Sequence, residues 1–308
     1  MKLTKLFMAI AAFAVIFTSC KTDVEVTGVT LDETTLSVAV NDSAELVATI
    51  LPSGAKGDVT WASSNTTIAT VMNGEVKGVK IGTANIIATV GTFTATCAVT
   101  VTKEVVDFNK SLTGTEYYPI ILDGVTAVKL GTKIKADLRP DEITKFLYIW
   151  DNTFVAGTAT GPNFYGEVEG WTSLTVGTVG WSGAGFNIND NALTDKLVAI
   201  TNNPDNYYLH IGIKSKGNAI YVFGMDGQSN VKFAVGASAF NDNGTMIQPL
   251  ADFDRDGEWQ QIEIPMATLK ANGLLYSTGM GAKNIIWFLA GGVAGTTLDL
   301  DAVFIYKK

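Results

Sequence analysis

Aromatic rings and side-chain amides are concentrated in residues 146–186, a stretch that holds three of the six Trp residues in the chain. The stretch is rich in Gly and in turn-forming residues, which favours loops that leave side chains at a surface. Flat rings beside amide groups are suited to binding sugars, because a sugar has apolar faces and hydroxyl edges. We therefore predict a ligand site made of Tyr148, Trp150, Asn152, Asn163, Tyr165, Trp171 and Trp181, which His210 joins from a later strand.

The start of this stretch alternates in the manner of a β-strand. Residues 146–150 read Phe-Leu-Tyr-Ile-Trp, so the three aromatic side chains share one face and the two aliphatic side chains share the other. The alternative is that the aromatic residues are core, since large rings are buried wherever a fold allows it. Trp259 and Trp287 occur in framework-like strands, and we predict that these two are core.

An enzymatic alternative depends on Glu167 and Glu169. If this piece is extended, the two carboxylates share a strand face about 6.5 to 7 Å apart, a separation near that of inverting glycosidases. The pattern favours a solvated acidic strand over a catalytic pair. A Ser-His-Asp triad would use His210, the only His, but no partners for it are evident in the sequence.

A metal-binding pattern is also present. Asp252, Asp254, Asp256 and Glu263 fit the spacing of an EF-hand calcium loop. The residues after this loop read as a strand, whereas an EF-hand has helices on both sides, so the pattern favours an ordinary turn and no cofactor. A structural calcium ion elsewhere, with Asp299 or Asp301 as ligand, is a second alternative.

The N-terminus has the form of an export signal. Lys2 and Lys5 precede an unbroken apolar run at residues 6–17, which is too short to span a bilayer. Thr18-Ser19-Cys20 then resembles a bacterial lipobox, which implies that residues 1–19 are removed and that Cys20 carries the lipid. Residues 20–23 would form a tether, and the protein would be an outer-membrane lipoprotein that faces the cell surface.

Charge and cysteine usage limit the partners. The formal net charge is −8, and the loss of Lys2 and Lys5 with the signal would make it more negative. An acidic surface repels phosphate backbones, so nucleic acid is not an expected partner, and membrane contact should come from the lipid on Cys20. Cys97 then has no partner for a disulfide, and its alternating apolar context predicts a buried side chain.

Composition and turn spacing predict an all-β chain of two domains. The chain has 308 residues, of which 31 are Gly and 17% are charged, which favours short strands joined by tight turns. About seven strand-length segments in residues 24–102 predict a small β-sandwich, and residues 104–308 predict a larger jelly-roll sandwich. One short helix is expected at residues 266–272, ended by Gly273.

Residues 24–102 resemble the bacterial immunoglobulin-like group 2 domains. The resemblance rests on Val59-Thr-Trp61 and the residues after it, on Asn73-Gly-Glu-Val76, and on Gly82-Thr-Ala84-Asn-Ile86. In that family the Trp packs in the core of the sandwich, and the domains often serve as stalks or adhesive repeats. The resemblance implies a spacer that contributes nothing to ligand binding.

Residues 104–308 resemble the carbohydrate-binding-module sandwiches of Bacteroidetes surface glycan-binding lipoproteins. The motifs are the segment that begins at Tyr208, Asp256-Gly-Glu-Trp259, the segment that begins at Trp287, and the closing strand from Leu298. The resemblance implies a non-catalytic glycan-binding protein of a nutrient-acquisition system, with outer-membrane glycan-import proteins as neighbours. The alternatives are a jelly-roll glycoside hydrolase or lyase that uses Glu167 and Glu169, and an adhesin that binds a protein.

Overall fold

The computed structural model describes residues 24–104, 106–177, 182–217, 219–290 and 294–308. The chain divides into two compact units, the first ending at Val106 and the second beginning at Asp107, where the sequence predicted a junction near residue 104. The predicted signal segment and Cys20 lie outside the described residues. Within the described part, no helix has the length and apolar character needed to cross a membrane.

The N-terminal unit is built from nine strands. The central sheet has the order β2-β9-β8-β5, and smaller sheets have the orders β3-β7-β6 and β1-β4. Alternating apolar residues of these strands form one core, against which Trp61 packs as predicted. Cys97 is fully buried there, which confirms the sequence prediction. The strands are β1 (Gly28–Leu31), β2 (Thr35–Ala39), β3 (Ser43–Glu45), β4 (Ala48–Leu51), β5 (Thr60–Ser63), β6 (Ala69–Met72), β7 (Glu75–Gly78), β8 (Gly82–Val90) and β9 (Phe93–Thr102).

The C-terminal unit is a sandwich of two six-stranded sheets. The first sheet has the order β12-β13-β23-β15-β21, with β10 also paired to β23, and the second sheet has the order β11-β14-β22-β16-β17-β20. The strands are β10 (Glu116–Ile121), β11 (Lys145–Ile149), β12 (Phe154–Ala159), β13 (Trp171–Val176), β14 (Ser182–Ile188), β15 (Tyr207–Ser215), β16 (Tyr221–Asp226), β17 (Asn230–Val235), β18 (Phe240–Asp242), β19 (Thr245–Ile247), β20 (Pro249–Ala251), β21 (Gln260–Pro265), β22 (Lys283–Ala290) and β23 (Thr297–Lys307).

The strand order is that of a jelly roll. The chain passes back and forth between the sheets, so that the central strands are β13-β23-β15-β21 in the first sheet and β14-β22-β16-β17 in the second. All six pairings among these eight strands are antiparallel. This is the connectivity of two Greek keys wound together, and it confirms the predicted fold class.

The main core of this unit lies between the two sheets. Alternate residues of β13, β15, β21 and β23 meet alternate residues of β14, β16, β17 and β22, and all of them are buried. Each strand therefore has one face in the core and another that points outward. The outward faces of the two sheets are the places where side chains of this unit can meet a ligand.

Short helices cover parts of the sandwich. The predicted helix is present as α4 (Met266–Ala271), and Gly273 follows it with a φ of +105°. The prediction that it is the single helix is wrong, because three more are described: α1 (Gly124–Leu130), α2 (Asn191–Thr194) and α3 (Val198–Asn202). Asp123 begins α1 by accepting the backbone N–H of Thr126 at 2.7 Å.

Candidate functional site

Two aromatic side chains lie on the outward face of β11, an edge strand of the second sheet, and a third follows in the turn directly after it. Leu147 and Ile149 pack against the main core, as the alternation predicted. Tyr148 points the other way and is 57% exposed. Phe146 and Trp150 are partly exposed on either side of it. We call Phe146, Tyr148 and Trp150 the aromatic strip.

A glycine floor lies beside the strip on the neighbouring strand β14. Tyr148 is paired with Gly185. A Cβ atom at Gly183 would lie 2.2 Å from Cε3 of Trp150, so the indole can rest against the sheet only because residue 183 has no side chain. Thr153 fixes the turn after the strip, since its hydroxyl accepts the Gly183 N–H at 2.8 Å. The Trp150 ring therefore packs directly against the backbone of β14 at residue 183.

Polar groups and a second indole continue this outward face. The amide of Asn187 donates to the amide oxygen of Asn284 at 3.3 Å. Trp287 lies on Gly224 in the same manner as Trp150 on Gly183, and its Nε1 donates to Asp226 at 2.9 Å. Trp287 is 5% exposed, in agreement with its predicted burial, but it lies outside the sheet and not between the sheets.

The aromatic residues on the outward face of the first sheet have a different environment. A second buried cluster, which we call the covered cluster, comprises Tyr117, Leu122, Ala127, Leu130, Phe164, Ala302, Phe304 and Tyr306. Residues of α1 and of the loop before β13 belong to it, and so does the 3₁₀-helix Phe108–Thr113 through Phe108 and Leu112. Because these segments lie over the sheet, the rings beneath them are closed to solvent.

His210 belongs to this closed region and not to a ligand-facing surface, which corrects the sequence prediction. It lies on the outward face of β15, but it has no exposed surface and stacks on Phe304 with ring centroids 4.6 Å apart. Its Nδ1 is 2.6 Å from Oε1 of Glu263, whose other oxygen accepts the Tyr306 hydroxyl at 2.9 Å. Burial lowers the pKa of the imidazole, although the bond to Glu263 opposes that shift.

Asn163 and Tyr165 are also structural in their contacts. Asn163 is 2% exposed, and its side-chain oxygen accepts the backbone N–H groups of Tyr165 and Glu167 at 3.0 and 2.9 Å. Tyr165 packs against the covered cluster, and its hydroxyl is 2.7 Å from that of Ser111. These contacts fix the loop before β13, so the predicted ligand-facing positions of both residues are corrected.

Glu167 and Glu169 lie in turns and not on the extended strand that the enzymatic alternative requires. Glu167 forms an ion pair with Lys129 on α1. Glu169 accepts the backbone N–H of Gly124, the first residue of the same helix, at 2.6 Å. The two carboxylates therefore attach α1 to this loop, and the predicted acidic strand is wrong.

A third carboxylate lies near this loop. Asp301 is 2% exposed and accepts the N–H of Phe164 at 3.0 Å. Burial raises the pKa of Asp301 to about 7, and nearby Asp123 and Glu169 add to that shift. A cavity of about 240 Å³ opens beside these three carboxylates and Trp171.

The metal-binding pattern does not assemble in space. Asp252 forms an ion pair with Arg255 at 2.9 Å, while Glu263 is committed to His210 and Tyr306. No group of three His, Cys, Asp or Glu side chains in the described ranges is arranged to hold a metal ion. The residues with EF-hand spacing are followed by the strand β21 and not by a helix.

Trp171 and Trp259 meet on the outward face of the first sheet, beyond the covered cluster. Their ring centroids are 5.6 Å apart at an interplanar angle of 86°. The ammonium group of Lys214 lies 3.6 Å from the ring centroid of Trp171 and 4.6 Å from that of Trp259. From the sequence, Trp171 was predicted to be a site residue and Trp259 a core residue. The pairing of β13 and β15 with β23 brings the two rings together.

A cavity of about 490 Å³ lies at the β10 and β11 edge of the sandwich. Arg139 lines it and makes two bonds of 2.9 and 2.8 Å to the carboxylate of Asp137. Lys145 lines it too and donates to the backbone oxygen of Asp137 at 3.1 Å. The two cations of this cavity are thus both bonded to Asp137.

Two of the predicted site residues have no described side chain. Trp181 lies outside the described residues, and Asn152 is described only by its backbone, in the short turn Trp150–Asn152. Lys214 and Lys216 were not among the predicted site residues, and Asp299 was considered only as a possible calcium ligand. Lys214 alternates out of an apolar strand, and that alternation was the available signal.

Residues 25–101 match the family model described as bacterial Ig-like domain (group 2). The N-terminal unit is a bacterial Ig-like domain. This confirms the resemblance found in residues 24–102 and the sandwich predicted for them. No match is found among curated proteins.

Solved structures with similarity to the chain include two carbohydrate-binding structures and one hydrolase domain. A family 30 carbohydrate-binding module is 16% identical, with 53% of this chain and 87% of that chain covered and a TM-score of 0.32. A carbohydrate-binding module of the β-sandwich superfamily with promiscuous specificity is 11% identical, with 92% and 100% covered and a TM-score of 0.32. The glycoside hydrolase domain of Endo-D from Streptococcus pneumoniae is 11% identical, with 53% and 22% covered and a TM-score of 0.29. Similarity of this extent carries no conclusion about the ligand of this chain.

Proposed function

We propose that the protein is a non-catalytic glycan-binding protein whose ligand lies on the aromatic strip. The observation that carries the proposal is the exposed ring of Tyr148 beside a Trp150 ring that packs against Gly183. Neutral sugars present C–H faces that stack on such rings, and preorganised rings lose little freedom on binding.

The polar part of the site would come from the same outward face. A sugar hydroxyl that leaves water needs a replacement hydrogen-bond partner. Asn187 lies on β14, the strand next to β11, and Asn284 lies on β22, which pairs with β14. The two amides bond to each other, and each can still donate or accept further hydrogen bonds. A ligand on the strip can therefore combine stacking with hydrogen bonds.

The first test is retention in native polysaccharide gels. We expect Trp150→Ala and Tyr148→Ala to lose most retention, because a central aromatic anchor is typically worth about 2 kcal/mol or more. Phe93→Ala is the matched control, since Phe93 is 38% exposed on the N-terminal unit. Tyr148→Ala is the variant less prone to misfold, because the Tyr148 side chain is 57% exposed. Unchanged retention of both strip variants would reject the proposal.

The enzymatic alternative is tested by a reducing-sugar assay on the same polysaccharides. The contacts of Glu167 and Glu169 with α1 favour binding without cleavage. Asp301 lines a cavity with Glu169 and Trp171 and has a raised pKa, so it is the group that we would test as the acid of a hydrolase. Release of reducing ends that Asp301→Asn abolishes would support the hydrolase and reject the non-catalytic proposal.

We also propose that the mature protein is anchored through Cys20 in the outer membrane, faces the cell surface and serves nutrient acquisition beside glycan-import proteins. The support is the charged start, the apolar run and the Thr18-Ser19-Cys20 sequence. Cys20→Ala should release the protein from membranes. Incorporation of labelled palmitate by the Cys20→Ala protein would contradict the assignment.

The N-terminal domain would act as a spacer. It has a core of its own, and its strands close that core without help. A truncated protein that begins at Asp107 should therefore bind glycan as tightly as the mature protein. A loss of about tenfold, equal to roughly 1.4 kcal/mol, would instead support the adhesin alternative or a binding role for this domain.

A further inference from the structure

A second cavity of the C-terminal unit lies beside the two Trp rings that enclose Lys214. Its volume is about 410 Å³, within the roughly 300 to 1,000 Å³ of small-molecule sites. It lies on the first sheet, whereas the aromatic strip lies on the second sheet. The cavity is lined by Lys214, Ser215, Lys216, Gly257, Gly295, Thr296, Thr297 and Asp299.

Lys214 has unused hydrogen-bonding capacity in this cavity. Its side chain is 17% exposed, and its ammonium is enclosed by the rings of Trp171 and Trp259. The nearest carboxylate oxygen, Oδ2 of Asp299, is 3.7 Å away, and Nζ makes no hydrogen bond to any described residue. An ammonium has three donors, so Lys214 can still donate hydrogen bonds to a ligand in this cavity.

Asp299 cannot fully satisfy this charge. Its Oδ1 accepts the hydroxyl of Ser173 at 2.6 Å, so the carboxylate is shared between a hydroxyl and an ammonium. The cavity lining carries two cations, Lys214 and Lys216, against the one carboxylate of Asp299. A net positive lining is notable on a chain whose formal net charge is −8. The larger cavity differs, because Asp137 neutralises its Arg139 there.

We propose that this cavity binds the anionic group of an acidic sugar, with Lys214 as the counter-charge and Lys216 at the rim. A carboxylate or sulfate supplies the acceptors that Nζ lacks, and charge-assisted bonds are about twice as strong as neutral ones. The hydroxyl-bearing walls at Thr296 and Thr297 suit the rest of a sugar ring. The sugar class rests on the proposed function, but the site is independent of the aromatic strip.

The test uses short oligomers, because the acidic protein would repel a long polyanion. Calorimetry would compare trigalacturonate, monomeric galacturonate, galactose 6-sulfate and neutral galactotriose. We expect trigalacturonate to bind at least about tenfold more tightly than galactotriose, and its affinity to fall as salt rises. Equal binding of the acidic and neutral trimers by the wild-type protein would overturn the proposal. Stronger binding of the sulfate than of the monomeric uronate would identify sulfate as the group recognised.

Variants then locate the site. Lys214→Met keeps the length and apolar stem between the two rings, and it should weaken trigalacturonate binding by about tenfold or more. Lys216→Met, at an exposed position, should weaken it by a smaller factor without risk to the fold. Lys270→Met is the matched control, because it removes the same charge from an exposed position on α4. A folded Lys214→Met protein with unchanged affinity for trigalacturonate would reject the assignment.

The two proposals fail separately. If Trp150→Ala loses neutral polysaccharide but keeps trigalacturonate, both sites stand. If no neutral polysaccharide binds and trigalacturonate binding still depends on Lys214, the function proposed for the aromatic strip fails and the anionic site remains. If strip-dependent binding is present and Lys214→Met has no effect, only the anionic site is rejected.

Discussion

The two outward faces of the C-terminal sandwich carry similar residues in opposite environments. On the second sheet, Tyr148 is 57% exposed and pairs with Gly185 of the neighbouring strand, which has no side chain to cover it. On the first sheet, Phe304 has no exposed surface and lies under α1 and the loop before β13. The same kind of aromatic side chain is therefore available to a ligand on one face and part of a core on the other.

The difference lies in what covers each sheet. The loop over the first sheet is fixed by its own amide and carboxylate groups, since Asn163 closes a turn and Glu169 holds the start of α1. The Asn163 oxygen and the Glu169 carboxylate are thus bonded within the protein, which leaves these acceptors little to offer a ligand. On the second sheet the rings rest on Gly residues, so the strand itself positions them and no covering segment is required.

The largest expected effect comes from truncating the covered cluster. Phe304→Ala should lower the free energy of unfolding by about 3 to 5 kcal/mol, because it removes a fully buried ring that stacks on His210. Chemical denaturation of the truncated C-terminal unit measures the change. If Phe304→Ala lowers the free energy of unfolding by less than the exposed Tyr148→Ala does, the outward face of the first sheet is not closed to solvent.

A smaller effect is expected where an indole rests on a Gly residue. A Cβ at Gly224 would lie 2.0 Å from Cε2 of Trp287, so Gly224→Ala must displace the ring and should cost about 1 to 3 kcal/mol. Gly157→Ala is the control, because nothing lies within 4 Å of a Cβ there. Thermal unfolding distinguishes the two. Equal melting temperatures would mean that Trp287 is not held by its contact with residue 224.

The closed face should also confer a pH dependence. Burial raises the pKa of Asp301 to about 7 in the folded state. Because the pKa of Asp301 is higher in the folded protein than in the unfolded chain, the protonated carboxyl group stabilises the fold. This stabilisation is complete at pH values below the unfolded pKa and is lost as the pH rises through about 7. Asp301→Asn cannot ionise, so relative to wild type it should gain on the order of 1 to 2 kcal/mol between pH 5 and pH 8.

Thermal unfolding of Asp301→Asn at several pH values tests this dependence. Asp205→Asn serves as the control, because it neutralises an exposed carboxylate of the same unit. A stability difference that stays constant from pH 5 to pH 8 would contradict a buried, ionising Asp301.

The smallest effect is expected on the open face. Tyr148→Ala should change the free energy of unfolding by less than about 0.5 kcal/mol, since substitutions at exposed positions without special contacts rarely do more. Denaturation measures this for the protein that is used in the binding gels. A loss of 2 kcal/mol or more would show that Tyr148 is structural, and the contrast between the faces would then disappear.

Local patterns in the sequence were enough for the all-β class, the two units and the alternation at residues 146–150. Alternation is a property of one strand, because successive side chains point to opposite faces whatever the strand pairs with. It placed Leu147 and Ile149 in the core and Tyr148 outside. The Ig-like domain was found in the same way, from short motifs whose spacing is local.

Tertiary structure decided which outward faces stay open. His210 and Tyr148 both alternate outward on their strands, yet His210 is buried because a helix and a loop from distant parts of the chain lie over it. The enclosure of Lys214 by Trp171 and Trp259 likewise depends on strands that β23 brings together. Sequence alone determined the face that each side chain takes on its own strand, because that depends on backbone geometry. Only the packing of distant segments determined whether that face meets a ligand, since burial is a property of the whole fold.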